Sequence, residues 1–159
     1  MENSNSIVCP DIDAQITNLK YMQGLLNKRS TWSRFGLNEE QFNTSDKTTV
    51  RIFTFDKDFK NDKSEMIKFI EENGGLGDFV LKPCREGGGN NFFDNTIKDK
   101  IDSSSKDELG SYILMERIFP VEEIGIFTDF ENVAVGPIVS EIGIYCSGVW
   151  NPAGEMVHE

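Results

Sequence analysis

The sequence predicts an α+β protein in which helices flank a mixed or antiparallel sheet. Three observations carry that expectation. Apolar residues recur at helical spacing over residues 10–28 and again over 64–73. Short runs rich in β-branched and aromatic residues mark strands at 50–55, 79–81, 112–115 and 138–145. Between the strand at 79–81 and the pair Phe92-Phe93 lies a glycine-rich loop, so the chain leaves and returns as strand, loop, strand.

The global numbers set limits. A chain of 159 residues with 38% hydrophobic content is enough for about one domain with a real core. A net charge of −11 argues against a nucleic-acid surface, because such binding rests on clustered Lys and Arg neutralising phosphates. No apolar run reaches membrane length and the polar start at residues 1–6 lacks a signal-peptide core, which makes the cytoplasm the expected compartment and a membrane partner unexpected. Cys9, Cys84 and Cys146 are odd in number and too widely spaced for a disulfide framework or a zinc site, and read as reduced thiols.

Taken in order, residues 1–8 form a disordered tail and Pro10 opens a helix to about Lys28. Ile12, Ile16, Leu19, Met22 and Leu26 make its apolar stripe, Asp11 and Asp13 suit its positive end, and Lys28-Arg29 suit its C-terminus. Lys20 borders the stripe, where the ordinary behaviour is to lay the stem on the core and the ammonium in water. Residues 36–49 read as surface loop with one helical turn near 39–42, and the charged run 56–63 as a solvated connection after the strand at 50–55. The helix at 64–73 has Asp62 and Glu65 at capping-box spacing, Met66, Ile67, Phe69 and Ile70 inward, and Gly74-Gly75 as its stop. A short helix over 94–101, a serine-rich link over 102–106 and the strand at 112–115 follow. Residues 123–136 carry no readable chemistry. Along 138–145, alternation puts Ser140, Ile142 and Ile144 on one face and Val139, Glu141, Gly143 and Tyr145 on the other, so Glu141 faces either solvent from an edge strand or a polar site. His158, the single histidine, has no assigned role.

Chemistry concentrates in residues 79–93. A run suited to a buried strand ends in Lys82, and Arg85, Glu86 and three glycines follow. Glycines let backbone N–H groups converge on one point, Lys82 and Arg85 add positive charge, and Glu86 and Asn91 offer hard oxygen ligands for Mg²⁺. Together these suit a metal-bound polyphosphate, although a long hairpin tip would use the same glycines. The loop is not a P-loop, in which the lysine follows the glycines and precedes Ser or Thr, and its glycines do not open a helix as a dinucleotide fingerprint would. What remains is a strand, glycine loop, strand arrangement, a type also found as the lid of ATP-grasp ligases.

The stretch Lys82-Pro83-x-Arg85-Glu86-Gly87-Gly88-Gly89-Asn90-Asn91 resembles the glycine-rich loop of the eukaryotic type of glutathione synthetase. Three other stretches agree in the right order: Cys9-Pro10-Asp11-Ile12 with Gln15 and Lys20, Ser111-Tyr112-Ile113-Leu114-Met115-Glu116-Arg117-Ile118, and Ser140-Glu141-Ile142-Gly143-Ile144. The likeness is faint over 37–77 and 94–110. It implies that residues 9–159 are a partial ATP-grasp domain, truncated at both ends, with a glycine-rich lid. It also implies ligation: ATP phosphorylates the carboxylate of γ-glutamylcysteine, and the amine of glycine displaces phosphate, with Mg²⁺ as cofactor and a homodimer as the full-length assembly. To the ATP site the resemblance assigns Lys20, Lys82, Arg85, Glu86, Gly87, Gly88, Gly89, Asn90, Asn91, Phe93, Met115, Glu116, Arg117, Ile118 and Glu141. Of these, Met115 and Ile118 give backbone contacts to adenine, Glu86 holds the metal, and Arg85 and Glu86 serve catalysis. Cys84 stands where glutamine is usual, Phe93 where tyrosine is usual and Arg117 where lysine is usual. Regions that carry further metal, dipeptide and ATP contacts in the family have no counterpart here. The expectation is therefore a piece of a synthetase, inactive alone, with a non-catalytic nucleotide-binding relative as the second reading.

Overall fold

The computed structural model describes residues 12–84, 89–129, 131–144, 149–150 and 156–158; the tail expected over 1–8 lies outside them. The chain divides after Ile118 into two units.

In the first unit four strands form one sheet in the order β1 (Ile52–Thr54), β4 (Tyr112–Glu116), β2 (Phe79–Pro83), β3 (Phe92–Phe93). Every pairing is antiparallel, the second of the two arrangements expected. Cross-strand partners share a face, so register sorts the side chains. Phe53, Leu114, Leu81 and Phe79 fall on one face, and Ile52, Thr54, Ile113, Met115, Val80, Lys82 and Phe93 on the other.

The first face is the core. Phe79, Leu81 and Leu114 pack with Met66 and Ile70 of α6 (Lys63–Glu72), Ile97 and Ile101 of α7 (Asn95–Ser103), and Leu109 of the one-turn α8 (Lys106–Leu109). Phe69 bridges the rings of Phe53, Phe59 and Phe79 at centroid distances of 4.7, 5.4 and 5.8 Å, within the range favoured by aromatic pairs. The inward positions read from the 64–73 periodicity are thus the core positions. Asp62 caps α6 by accepting from the Ser64 amide at 2.8 Å rather than through the Glu65 reciprocal bond, and Gly74 and Gly75 end it at φ 111° and 92°.

The N-terminal helix departs from expectation. It is broken into α1 (Ile12–Thr17), α2 (Lys20–Leu26) and α3 (Arg29–Trp32), with Leu19 and Lys28 extended between them. Ile12, Ile16 and Leu26 are exposed, and the buried residue of α2 is Gly24. A Cβ on Gly24 would sit 3.1 Å from a methyl of Ile52 and 3.1 Å from that of Thr54. The helix lies so close to β1 that its contact face is set by a missing side chain, which an apolar-periodicity argument cannot register.

Two further segments differ. Residues 36–49 contain α4 (Glu39–Asp46), eight residues long, started by a capping box in which Asn38 and Gln41 each accept from the other's amide at 2.9 Å. The strand expected over 50–55 is shorter, because Phe55 turns into the one-turn helix α5 (Phe55–Asp58).

In the second unit β5 (Glu123–Thr128) and β6 (Val133–Ile138) form an antiparallel hairpin. Asp129 closes it by accepting from the amides of Glu131 at 3.0 Å and Asn132 at 2.8 Å, bonds that hold its carboxyl below the usual range. β7 (Val149–Trp150) pairs with β8 (Met156–His158). The strand expected at 138–145 is not formed: pairing ends at Ile138, residues 139–144 have no regular structure, and Tyr145 lies outside the described residues. Alternation supplies strand propensity, but a strand also needs a partner edge, and none is offered to 139–144 among the described residues.

Candidate functional site

Register places Lys82 on the sheet face covered by α2, one residue before β2 ends. Lys20, the first residue of α2, comes close enough to act on it electrostatically. Burial first, and the Lys20 charge second, pull the Lys82 ammonium below its usual value. Two cations from separate elements therefore act on each other near the point where β2 runs into the glycine loop. Cys84 follows, its amide donating to the Ser111 carbonyl at 2.8 Å. Burial pushes the Cys84 thiol up, outweighing the hydrogen bond from the Tyr21 amide and the Lys20 charge, so the sulfur is protonated at neutral pH.

Arg85, Glu86, Gly87 and Gly88 lie outside the described residues. Gly89 has φ 93°, a left-handed conformation that glycine adopts without cost, and Asn90 and Asn91 are exposed. The chain then returns as β3, the expected strand, loop, strand arrangement. This returning stem is pinned. The Phe93 amide donates to Thr96 Oγ1 at 2.9 Å, and Lys100 Nζ lies 5.6 Å from the Phe92 ring and 5.2 Å from the Tyr112 ring while pairing with Glu108.

Phe93 and Arg117, two of the departures noted above, touch each other. The guanidinium sits 5.6 Å over the Phe93 ring, 3.6 Å from Asp94, and donates to the Gly77 carbonyl at 3.4 Å. The Glu116 carboxylate is engaged inside the sheet. It accepts from the Arg51 amide at 3.1 Å and from Arg51 Nε at 2.7 Å, and although burial works the other way, these bonds hold it below the usual carboxylate range.

Met115 and Ile118 line an open cleft of 440 Å³ on the same side of the sheet, together with Leu26, Ile52, Trp32, Phe42 and the polar residues Asp46, Thr48 and Thr49. Trp32 and Phe42 meet edge to face at 6.2 Å. A mainly apolar cleft with a few polar groups in its lining is what a flat heteroaromatic ring requires. Neither aromatic was singled out from sequence; the Asn38-x-x-Gln41 capping box that builds α4 and carries Phe42 was the available signal. Glu141 is exposed in the second unit, outside any strand. Among the described residues no three His, Cys, Asp or Glu side chains group to hold a metal, and no helix is long and apolar enough to cross a membrane.

Residues 5–159 match the family described as eukaryotic glutathione synthase, ATP binding domain. The chain is 32% identical over 149 residues to the chloroplastic glutathione synthetase of Arabidopsis thaliana, covering 91% of this chain and 26% of that protein. It is 30% identical over 151 residues to the glutathione synthetase large chain of Schizosaccharomyces pombe (95% and 29%), and 29% identical over 161 residues to the Homo sapiens glutathione synthetase (91% and 30%). It thus spans under a third of the length of these relatives. With the family match running over residues 5–159, the chain belongs to the eukaryotic glutathione synthase ATP-binding domain family.

Proposed function

We propose that this chain supplies part of the ATP site of a ligase that joins γ-glutamylcysteine to glycine through an acyl phosphate, and that it works in the cytoplasm. The observation that carries the reading is the convergence of Lys20 and Lys82 at the mouth of the glycine loop, beside an apolar cleft edged by Met115 and Ile118. A polyphosphate offers both ammonium groups the negative charge they attract. Adenine occupies the cleft against Met115 and Ile118. The amides of Gly87, Gly88 and Gly89, with Arg85, cover the phosphates, and Asn90, Asn91 and Phe93 border them. Glu141 is proposed as an ATP contact on the family resemblance alone.

Glu86 is the proposed Mg²⁺ ligand. Mg²⁺ is commonly held by one or two carboxylates together with substrate phosphates, so a preformed cluster of three carboxylates is not required. When bound, the ion neutralises charge on the transferring phosphoryl group. The residues of this chain act by positioning: the lysines fix the phosphate chain and the cleft fixes the base, which keeps the terminal phosphoryl group in line for a carboxylate.

The test is to purify the complete polypeptide that carries this sequence, measure Mg·ATP binding by calorimetry, and assay ADP release with γ-glutamylcysteine and glycine. Lys82→Met is expected to weaken ATP binding at least about tenfold, and Glu86→Gln to lower turnover by about two orders of magnitude, the scale of losing one preorganised electrostatic contact. ATP binding unaffected by Lys82→Met would overturn the reading.

A further inference from the structure

The segment 56–63 reads in sequence as solvated connection, yet its first aspartate reaches back 35 residues: Asp56 Oδ2 accepts from the Tyr21 hydroxyl at 2.9 Å. Tyr21 follows Lys20 directly, and α2, which it helps to start, covers the sheet face that carries Lys82. Tyr21 thus ties the start of α2 to α5 through its ring.

The helix that carries Lys20 cannot hold itself in place. It has seven residues and no side-chain cap at its first turn, and isolated helices shorter than about 12 residues are marginal in water. It also brings one ammonium toward another. Its position is set by tertiary anchors: Gly24 against Ile52 and Thr54, Lys28 Nζ paired with Asp58 at 2.9 Å beyond its far end, and Tyr21 with Asp56 at the lysine end. Asp58 in turn accepts from the Thr54 amide at 2.7 Å, which makes α5 a fixed post rather than a mobile loop.

We propose that Asp56, acting through the Tyr21 hydroxyl, is a positioning residue that keeps Lys20 beside Lys82, so that the two ammonium groups are spaced for one polyphosphate before it arrives. The inference rests on the phosphate role given to the two lysines above. The Tyr21 hydroxyl and the Asp56 carboxylate are engaged with each other, so the effect assigned to them passes through Lys20, and that dependence can be measured.

The experiment is a double-mutant cycle on Mg·ATP affinity in the complete polypeptide. Tyr21→Phe and Asp56→Asn are each expected to weaken binding about three- to tenfold, the effect of losing one hydrogen bond of ordinary net strength. In a Lys20→Met background the same changes are expected to weaken it less than about twofold, because the group they position is gone. Full loss in both backgrounds, or no loss in either, overturns the proposal. Tyr21→Phe keeps the ring and guards against a folding defect in Asp56→Asn. A second measurement needs no nucleotide: a short amine-reactive cross-linker, mapped by mass spectrometry, should join Lys20 to Lys82 several-fold less often in either variant at an unchanged melting temperature. An unchanged yield overturns the proposal. Wild-type protein that does not bind Mg·ATP overturns the functional reading along with it, whereas binding weakened by Lys20→Met but not by Tyr21→Phe overturns the positioning role alone.

Discussion

The two units treat similar sequences in opposite ways. Up to Ile118, an apolar strand residue such as Leu81 or Leu114 has no exposed surface, covered by α6 and α7. After it, Ile126 and Val135 oppose each other in the β5–β6 hairpin on one face and are 71% and 68% exposed. Both segments are β-branched and apolar, and both pair antiparallel. Secondary structure is a local bargain between backbone and register, but burial is a contract with other elements. A two-stranded ribbon without a third strand or helix on its apolar face is marginal in water.

The difference gives the largest expected effect. Leu81→Ala should destabilise the chain by about 2 to 5 kcal/mol through lost burial and the cavity left behind, while Ile126→Ala should change it by less than about 0.5 kcal/mol. Chemical denaturation monitored by tryptophan fluorescence checks both, and similar costs at the two sites would erase the distinction drawn here. Next in size is Gly24→Val. Its added methyl groups must enter the space already filled by the Ile52 and Thr54 methyls, and overpacking of this kind costs about 1 to 3 kcal/mol. The corresponding change at Gly36, which has open space around it but φ 71°, should act through backbone strain instead and leave the α2 contact intact. Hydrogen exchange of the α2 amides separates the two.

The smallest effect is electrostatic and depends on pH. Lys82 has a folded-state value lowered from its usual 10.5, so its burial costs stability wherever it is protonated in both states. That cost is fully present below the lowered value and is relieved as pH rises from there toward 10.5, where the unfolded chain still holds a proton that the folded one has released. The wild type should therefore gain stability relative to Lys82→Met over this alkaline window, and the variant should be the more stable of the two near neutrality. Melting temperatures of both proteins from neutral pH to about pH 10 give the test. An equal pH dependence would mean that Lys82 is not desolvated.

What could be read from sequence was what is encoded locally. The α6 core positions follow from period, the Asp62 cap from residue type, and the return from Lys82 through the glycines to Phe92-Phe93 from loop chemistry. The resemblance added a family and its site residues, which residue-level physics alone left open between a phosphate cradle and a hairpin tip. What escaped notice is mostly non-local. Asp56 and Asp58 look like solvated charge until Tyr21 and Lys28 arrive from 35 and 30 residues away. The break at Leu19 gives α2 a helical phase unrelated to Ile12 and Ile16, so the apolar stripe drawn through all three has no counterpart in space. The α4 capping box is local, but the residues around it are polar and give no apolar period to mark the helix it starts.

Cys84 carries one more consequence. Hydrogen peroxide and disulfides react with thiolates, and a sulfur kept protonated by burial beside the cationic pair is a poor target for either. Had the nearby Lys20 charge won that contest, the same residue would be a low-pKa thiol at the mouth of the loop, the environment of a redox sensor. Because burial wins, oxidants should spare this position, and the geometry around Lys82 should survive conditions that modify exposed thiols elsewhere in a cell.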